Sequence, residues 1–143
     1  MATDFQLEIY KEMALSLHCY SGKGTVLPAK PLLLIGICNA IDSNLINDNR
    51  ISIVDIERQY RLLQEQYKIN TPFNYPFYFL ANESFYHIKW KYNKIVAKNP
   101  SMSLLRNNVD FAYLDNALWD LLQIKENRDY FRKSIEDYYL KNN

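Results

Sequence analysis

Several residue types that carry chemistry are scarce in this chain of 143 residues, which has three glycines, two histidines and two cysteines. A phosphate-binding loop needs several glycines close together, and the sequence contains no such cluster. His18 and His87 lack the partner spacing of a zinc site, and no set of histidines matches the metal centre of a nuclease. The sequence therefore predicts no metal, no cofactor and no catalytic residue.

Long apolar segments and a secretion signal are also missing. The longest apolar run, Pro31 to Cys38, is far shorter than the ~20 residues of a membrane span. The N-terminal segment lacks the basic-then-apolar pattern of a signal peptide. Cys19 and Cys38 lie in apolar helical patterns, which favours reduced, buried thiols. We therefore expect a cytoplasmic protein without membrane contact.

What the chain does contain is enough apolar surface for a core, with 48% hydrophobic and 15% aromatic residues. This composition argues against disorder and predicts a single domain over residues 1–143.

Charge is unevenly distributed although the formal net charge is only +1. From Ser84 to Val109 there is no acidic residue. That interval contains five cations: Lys89, Lys91, Lys94, Lys98 and Arg106. The pattern predicts one basic face on a nearly neutral protein.

Helical patterns dominate the first half of the chain. Three helices are predicted: Asp4–Tyr20, Pro31–Asp42 and Asp55–Lys68. The first is amphipathic, since Phe5, Ile9, Met13 and Leu17 recur every four residues. The second is apolar nearly all round, which is typical of a buried central helix. The third has an inward stripe of Ile56, Tyr60, Leu63 and Tyr67. A short edge strand is predicted at Ile51–Ile53.

An aromatic segment follows the third helix. It predicts a hairpin with strands Pro76–Leu80 and Phe85–Trp90, joined by the polar tetrapeptide Ala81–Ser84. The inward residues of this hairpin would be Phe77, Phe79, Phe85 and His87, and the outward ones Tyr78 and Tyr86.

Three further helical patterns follow Pro100, at Ser101–Asn107, Asp115–Ile124 and Asn127–Leu140. Asp115 and Asn127 are the expected caps of the last two. Helix, helix, strand, helix and hairpin is the winged-helix order. The predicted fold class is therefore α+β and mostly helical, with a winged-helix-like core at about 4–95 and a C-terminal helical extension at about 100–141.

The third helix is the predicted reading helix. Its outer face carries Arg58, Arg61, Glu65 and Lys68. The cations of that face could meet phosphates or base edges, while Lys89, Lys91 and Lys94 meet the flanking backbone. The alternative is an ordinary solvated face whose charges pair along the helix.

Tyr75-Pro76 has no explanation in the strand pattern. A proline at the start of a strand is tolerated because no ladder donor is lost there. A tyrosine ring beside a proline ring would form a small, rigid apolar surface. Such a surface suits a soft, weakly hydrated group.

A set of ordered motifs resembles a known family. The motifs are A-K-P-L-L-L-I-G-I from Ala29, N-R-I from Asn49, N-Y-P-F-Y-F-L from Asn74, S-F-Y-H-I from Ser84, D-F-A-Y-L-D-N-A-L-W-D-L-L-Q from Asp110 and N-R-D-Y-F-R-K-S-I-E-D-Y-Y from Asn127. From about Pro28 to its end the chain is similar to the N-terminal recognition domain of HNH-type restriction endonucleases. That family includes the sulfur-binding domain of type IV enzymes, which recognise phosphorothioate-modified DNA.

The resemblance implies a winged-helix-like fold, a shallow apolar pocket around Tyr75 and Pro76 for the sulfur, and basic residues on neighbouring phosphates. The family usually has Arg or His just before K-P-L-L-L, where this chain has Leu27, Pro28 and Ala29, so one phosphate contact is missing. Lys30 remains as a candidate contact, although a lysine opening a buried helix can simply extend to the surface. The family's nuclease domain has no counterpart in these residues.

Two functions from different classes follow. The first is a noncatalytic module that binds duplex DNA, with phosphorothioated DNA as one candidate ligand, through the residues named above and Arg106. The second is a protein-interaction module, with a second copy or a separate nuclease as the partner, because the last third is rich in aromatic residues. Catalytic cleavage by this chain alone is not expected.

Overall fold

The backbone is described for residues 2–19, 21–22, 25–26 and 28–140 in a computed structural model. The helices are α1 (Ala2–Ala14), α2 (Ala29–Asp42), α3 (Ile53–Tyr67), α4 (Asn74–Phe79), α5 (Met102–Asn108), α6 (Asn116–Leu122) and α7 (Lys125–Tyr139). The strands are β1 (Ser21–Gly22), β2 (Thr25–Val26), β3 (Tyr86–Trp90) and β4 (Val109–Leu114). The α+β, mostly helical class is confirmed. Tyr20, Leu27 and the two ends of the predicted single domain lie outside the described residues.

Helix α2 lies at the centre of the fold, in contact with α3, α4 and α7. Nearly all of it is buried, from Ala29 to Ile41 with the exception of Asn39. Pro31 is the third residue of the helix, where an N–H would have no partner within the helix. The predicted central helix is therefore confirmed, and it begins two residues earlier than expected.

Both ends of helix α3 are defined by local capping interactions. The Ser52 hydroxyl accepts a hydrogen bond from the Asp55 N–H at 3.2 Å, which caps the first turn. Lys68 ends the helix in the left-handed region, with φ of 55°. The predicted inward stripe is confirmed, since Ile56, Tyr60 and Leu63 are buried and Tyr67 packs against the core.

The predicted aromatic hairpin is wrong. Residues Asn74–Phe79 form helix α4, and a 3₁₀ turn over Leu80–Asn82 follows it. Pro76 is the third residue of α4, so its missing N–H costs no hydrogen bond there and its fixed φ favours the helix. Strand β3 pairs instead with β4, which lies in the segment predicted to be a helical extension. The element order predicted from the sequence is therefore not the observed one, and the winged-helix assignment stays a prediction.

The sheet formed by β3 and β4 is antiparallel, with Tyr86 opposite Leu114 and His87 opposite Tyr113. Ile51 forms one isolated antiparallel β-bridge to Ala112. The rest of the predicted edge strand at Ile51–Ile53 does not form. Tyr86, predicted to point outward, is buried, and its hydroxyl donates to the Phe77 carbonyl at 2.9 Å. Along β3 the predicted alternation is thus inverted, and His87 lies on the half-exposed outer face. Phe77 and Phe85, predicted to point inward, are buried.

The first and last helices also differ from their predictions. Helix α1 ends at Ala14, and it buries Leu7 and Tyr10, whereas Phe5 is 71% exposed. Helix α7 begins at Lys125, so the predicted cap Asn127 lies inside it.

Helix α7 does not form a separate extension, because it packs on α2. Arg128 Nε donates to Asp42 at 2.6 Å, and Arg132 contacts the same carboxylate. Burial alone would raise the pKa of Asp42, but the two guanidinium groups hold that pKa below its usual value.

Candidate nucleic-acid interface

An arginine cluster lies where α3 meets α5. The buried carboxylate of Glu57 accepts from Arg61 Nε at 3.0 Å and from Arg106 Nη2 at 3.3 Å. The two arginine side chains remain 65% and 58% exposed. Each guanidinium has five donors, so each retains donors for an external ligand. Glu57 therefore orients two cations at the surface without using up their binding capacity.

Arg58 lies beside this cluster on α3 and is exposed. It lines a cleft of about 490 Å³ together with Arg61 and Arg106. Within the described part of the chain, the Arg58 side chain has no hydrogen-bond or ion-pair partner. Three arginines from two helices thus line one cleft together with Glu57 and Glu65, an excess of one positive charge that favours an anionic ligand.

A second cleft, of about 200 Å³, connects the arginine cluster to α4. Its lining includes Arg61 from α3, Phe73 and Asn74 from the start of α4, and Met102 from α5. Tyr75 is the next residue along α4. The predicted arginines of α3 and the predicted Tyr75 are therefore on elements that meet at one cleft.

Tyr75 and Pro76 do not form the exposed pair of rings that the sequence predicts at a strand entrance. Tyr75 is half-buried, and its ring is parallel to that of Phe79, with 6.5 Å between centroids and 5° between planes. Pro76 is buried. Only Tyr75 offers a surface to solvent, and the role of both residues in binding stays a prediction.

The lysine loop, residues 91–99, is fixed to α4. The Tyr78 hydroxyl donates to the Ile95 carbonyl at 2.8 Å and accepts from the Ala97 N–H at 2.8 Å. Asn74 Nδ2 donates to the Pro100 carbonyl at 2.6 Å. Helix α4 therefore contacts both the arginine-bearing cleft and the lysine loop.

The predicted lysines of this region are all exposed. Lys89 lies on β3 opposite Phe111, and Lys91, Lys94 and Lys98 lie in the lysine loop. Between Ser84 and Val109 no acidic residue accompanies these lysines. The predicted lysines thus lie on an exposed loop and on strand β3, and the single basic face stays a prediction.

Two predicted contacts lie elsewhere. Lys30 is 8% exposed, and its ammonium bonds to the buried carboxylate of Glu83 at 3.0 Å. Burial alone would raise the pKa of Glu83, but Lys30 and the His18 backbone N–H hold that pKa below its usual value. Lys68 is exposed at the C-cap of α3, the end remote from Arg58. Lys30 is therefore part of the interior.

Several contributing residues were missed in the sequence. Arg50 lies over the Phe111 ring at 5.1 Å, a cation–π contact beside Lys89 on the sheet. Tyr78 and its loop partners are 17 and 19 residues apart, and no local pattern indicates that contact. Glu57 could have been found, because it precedes Arg61 by four residues, which is the spacing of a helical ion pair.

One further polar cluster joins α1 to the sheet. Asp115 bonds His87 at 2.6 Å and accepts from the Tyr10 hydroxyl at 2.9 Å. Burial and this carboxylate raise the pKa of Tyr10 to about 12.

Over residues 2–19 and 28–140, no three His, Cys, Asp or Glu side chains are grouped to hold a metal ion. In the same residues, no helix is long and apolar enough to span a membrane.

Comparison with known proteins identifies the fold. No family model and no curated protein matches the sequence. Among solved structures, the chain is similar to the sulfur-binding and SRA domains of ScoMcrA complexed with phosphorothioated DNA, with a TM-score of 0.75 and 13% identity over 92% of this chain. It is also similar to the type IV phosphorothioation-dependent restriction endonuclease ScoMcrA, with a TM-score of 0.71 and 13% identity over 91% of this chain.

The matched region is a minor part of each of those proteins. It covers 42% of the first chain and 29% of the second. The chain thus spans less than half the length of the solved structures that it matches. At this identity the likeness shows a shared fold.

Proposed function

We propose that this chain is a noncatalytic DNA-binding module of a restriction or defence system, and that it reads duplex DNA carrying phosphorothioate groups. The observation that carries the proposal is the fold shared over 92% of the chain with a domain solved on phosphorothioated DNA. The exposed arginine cluster and the lysine loop support it, because they supply cations for the phosphate backbone. Nothing in this proposal requires catalysis by the chain itself.

Tyr75 is the proposed contact for the sulfur atom. Its half-buried ring offers an apolar edge to solvent, and it follows directly on Phe73 and Asn74, which line the cleft that contains Arg61. A sulfur atom is softer and less strongly hydrated than the oxygen it replaces, so contact with an aromatic ring favours the modified backbone. Pro76 is buried, and we assign it the indirect role of fixing the first turn of α4.

The test is a titration of two duplexes of identical sequence, one of which carries phosphorothioate groups, followed by fluorescence anisotropy. We expect both to bind at low salt, the modified duplex more tightly. Tyr75→Ala should reduce the preference for the modified duplex and leave binding to the plain duplex largely intact. Tyr138→Ala is the matched control, because Tyr138 is an exposed tyrosine on α7. Lack of binding to either duplex would overturn the proposal.

A second candidate function is homodimerisation. Phe5 and Ile9 on α1 are 71% and 46% exposed, one helical turn apart. Glu8, which precedes Ile9, accepts a hydrogen bond from the exposed Tyr130 of α7. Light scattering at increasing concentration tests this candidate, and a mass that stays monomeric excludes it. A dimer would be compatible with DNA binding.

A further inference from the structure

Two apolar side chains of the lysine loop are almost fully exposed. Tyr92 is 81% exposed and Val96 is 85% exposed. Single exposed apolar residues are common on protein surfaces. These two differ because they lie within nine residues that also contain Lys91, Lys94 and Lys98 and no acidic residue. The loop therefore combines positive charge with a projecting aromatic ring.

The loop is held by three sets of hydrogen bonds. The Lys91 N–H donates to the Asn108 carbonyl at 2.9 Å, which fixes the start of the loop to the end of α5. The Tyr78 hydroxyl bonds its middle at Ile95 and Ala97, and Asn74 bonds the carbonyl of Pro100 beyond its end. These anchors leave Tyr92 between two fixed points, directed away from the core.

The charge and the exposed aromatic ring of the loop indicate which class of ligand it can bind. Lysines on both sides of Tyr92 favour an anionic partner, and the exposed aromatic ring can contact an apolar or π surface of the same partner. The edge of a nucleic-acid groove offers both, since phosphates border the faces and edges of the bases. An anionic lipid surface offers a related combination. The connection of the loop through α4 to the arginine-bearing cleft favours DNA.

We propose that Tyr92 is a base-contacting residue, whose ring inserts at a base step of bound duplex DNA while Lys91 and Lys94 hold the bordering phosphates. Apolar side chains that enter a groove in this way partly unstack a step and provide affinity that does not depend on salt. This inference rests on the proposed DNA-binding function and adds to it a residue and a mode of contact.

The test uses the full chain and a set of duplexes, each with 2-aminopurine at a different position. Binding of the unaltered protein should change the emission at one position or two neighbouring positions. Tyr92→Ala should abolish that change and weaken binding about 5- to 10-fold. The salt dependence of DNA binding by Tyr92→Ala should equal that of the unaltered protein, because no charge is removed. Tyr92→Phe should retain both the signal and the affinity, and Tyr138→Ala is the matched control.

The outcomes separate the two proposals. If the unaltered protein binds DNA and Tyr92→Ala has the same affinity and the same emission profile, this inference fails and DNA binding stands. If the unaltered protein binds no duplex, both fail. Tyr92-dependent binding to vesicles of anionic lipid, without an emission change on DNA, would also overturn it. Unchanged thermal unfolding of Tyr92→Ala verifies that the variant is folded.

Discussion

Lys30 and the lysine loop show two different uses of the same residue type. Lys30 is 8% exposed and bonds to a buried carboxylate that lies 53 residues away, so its charge is matched inside the fold. Lys94 and its neighbours in the loop are exposed, and the interval from Ser84 to Val109 has no acid to pair with them. Burial and partner, rather than residue type, thus separate cations that stabilise this fold from cations available to a ligand.

The contact between α2 and α7 resembles that of Lys30, because its cations are paired inside the fold. Arg128 is buried and bonds to Asp42, which Arg132 also contacts. The arginine cluster at Glu57 resembles the lysine loop instead, because its carboxylate is buried while both of its guanidinium groups remain mostly exposed. One shared acid can therefore orient cations for an outside ligand, whereas full burial commits them to the interior.

The largest expected effect comes from removing Lys30. Lys30→Ala leaves the buried Glu83 carboxylate without its ammonium partner, and loss of one member of a buried pair costs about 3–5 kcal/mol. Urea unfolding measures the free energy of unfolding directly. Lys94→Ala is the control, and it should change stability by no more than about 0.5 kcal/mol. Equal effects of the two substitutions would contradict the distinction between buried and exposed lysines.

A smaller effect is expected from acid. Since the pKa of Glu83 is lowered in the folded protein from a value of 4.5, its stabilising contribution is complete above that pH and is lost as the pH falls through the folded pKa. Glu83→Gln should therefore be about 2 kcal/mol less stable than the unaltered protein near neutral pH. The difference should shrink as the solution is acidified, because a protonated Glu83 resembles glutamine. A difference that is constant with pH would show that the carboxylate charge contributes nothing.

The exposed lysines should affect DNA rather than stability. Lys94→Ala removes one phosphate contact and is expected to weaken binding to all duplexes about fivefold, irrespective of sequence. Anisotropy titrations with two unrelated duplexes measure this effect. Lys133→Ala, an exposed lysine on α7, is the matched control. Weakening confined to one duplex would instead assign Lys94 to base recognition.

The smallest effect is expected at the loop anchor. Tyr78→Phe removes the hydroxyl that bonds Ile95 and Ala97, which should cost about 1 kcal/mol of stability. The lysine loop would then be less well positioned, and DNA binding should weaken measurably, by at most about threefold. Tyr138→Phe is the control. If Tyr78→Phe bound DNA as tightly as the unaltered protein, the anchored shape of the loop would be irrelevant to binding.

The local parts of the fold could be predicted from the sequence. Helix α2 shows its burial through an unbroken apolar run, and α3 shows an inward stripe at helical spacing. Helix α4 and strand β4 could not be predicted. Pro76 fits both a strand start and the first turn of a helix, and the alternating aromatics favoured the strand. The partner of β3 lies across the loop and α5, so its pairing depends on contacts that no local pattern records.

The site shows the same limit. Exposed cations such as Arg58 and Lys94 could be predicted from charge spacing alone. Lys30 was predicted as a DNA contact as well, but its ammonium is paired with Glu83 inside the fold. Glu83 is distant in the sequence and was predicted to lie in a hairpin turn, so the sequence does not indicate this pair. Tyr92 could not be distinguished from the other tyrosines, since its exposure depends on how Tyr78 fixes the loop.

The most direct test of the account is the salt dependence of binding to a phosphorothioated duplex. The logarithm of the affinity is measured against the logarithm of the salt concentration for the unaltered protein and for the variant that combines Lys91→Ala, Lys94→Ala and Lys98→Ala. Each lost phosphate contact should reduce the slope by about 0.9, so the triple variant should be shallower by about 2.7. Tight binding with an identical slope in both proteins would contradict the claim that these exposed cations hold the DNA backbone.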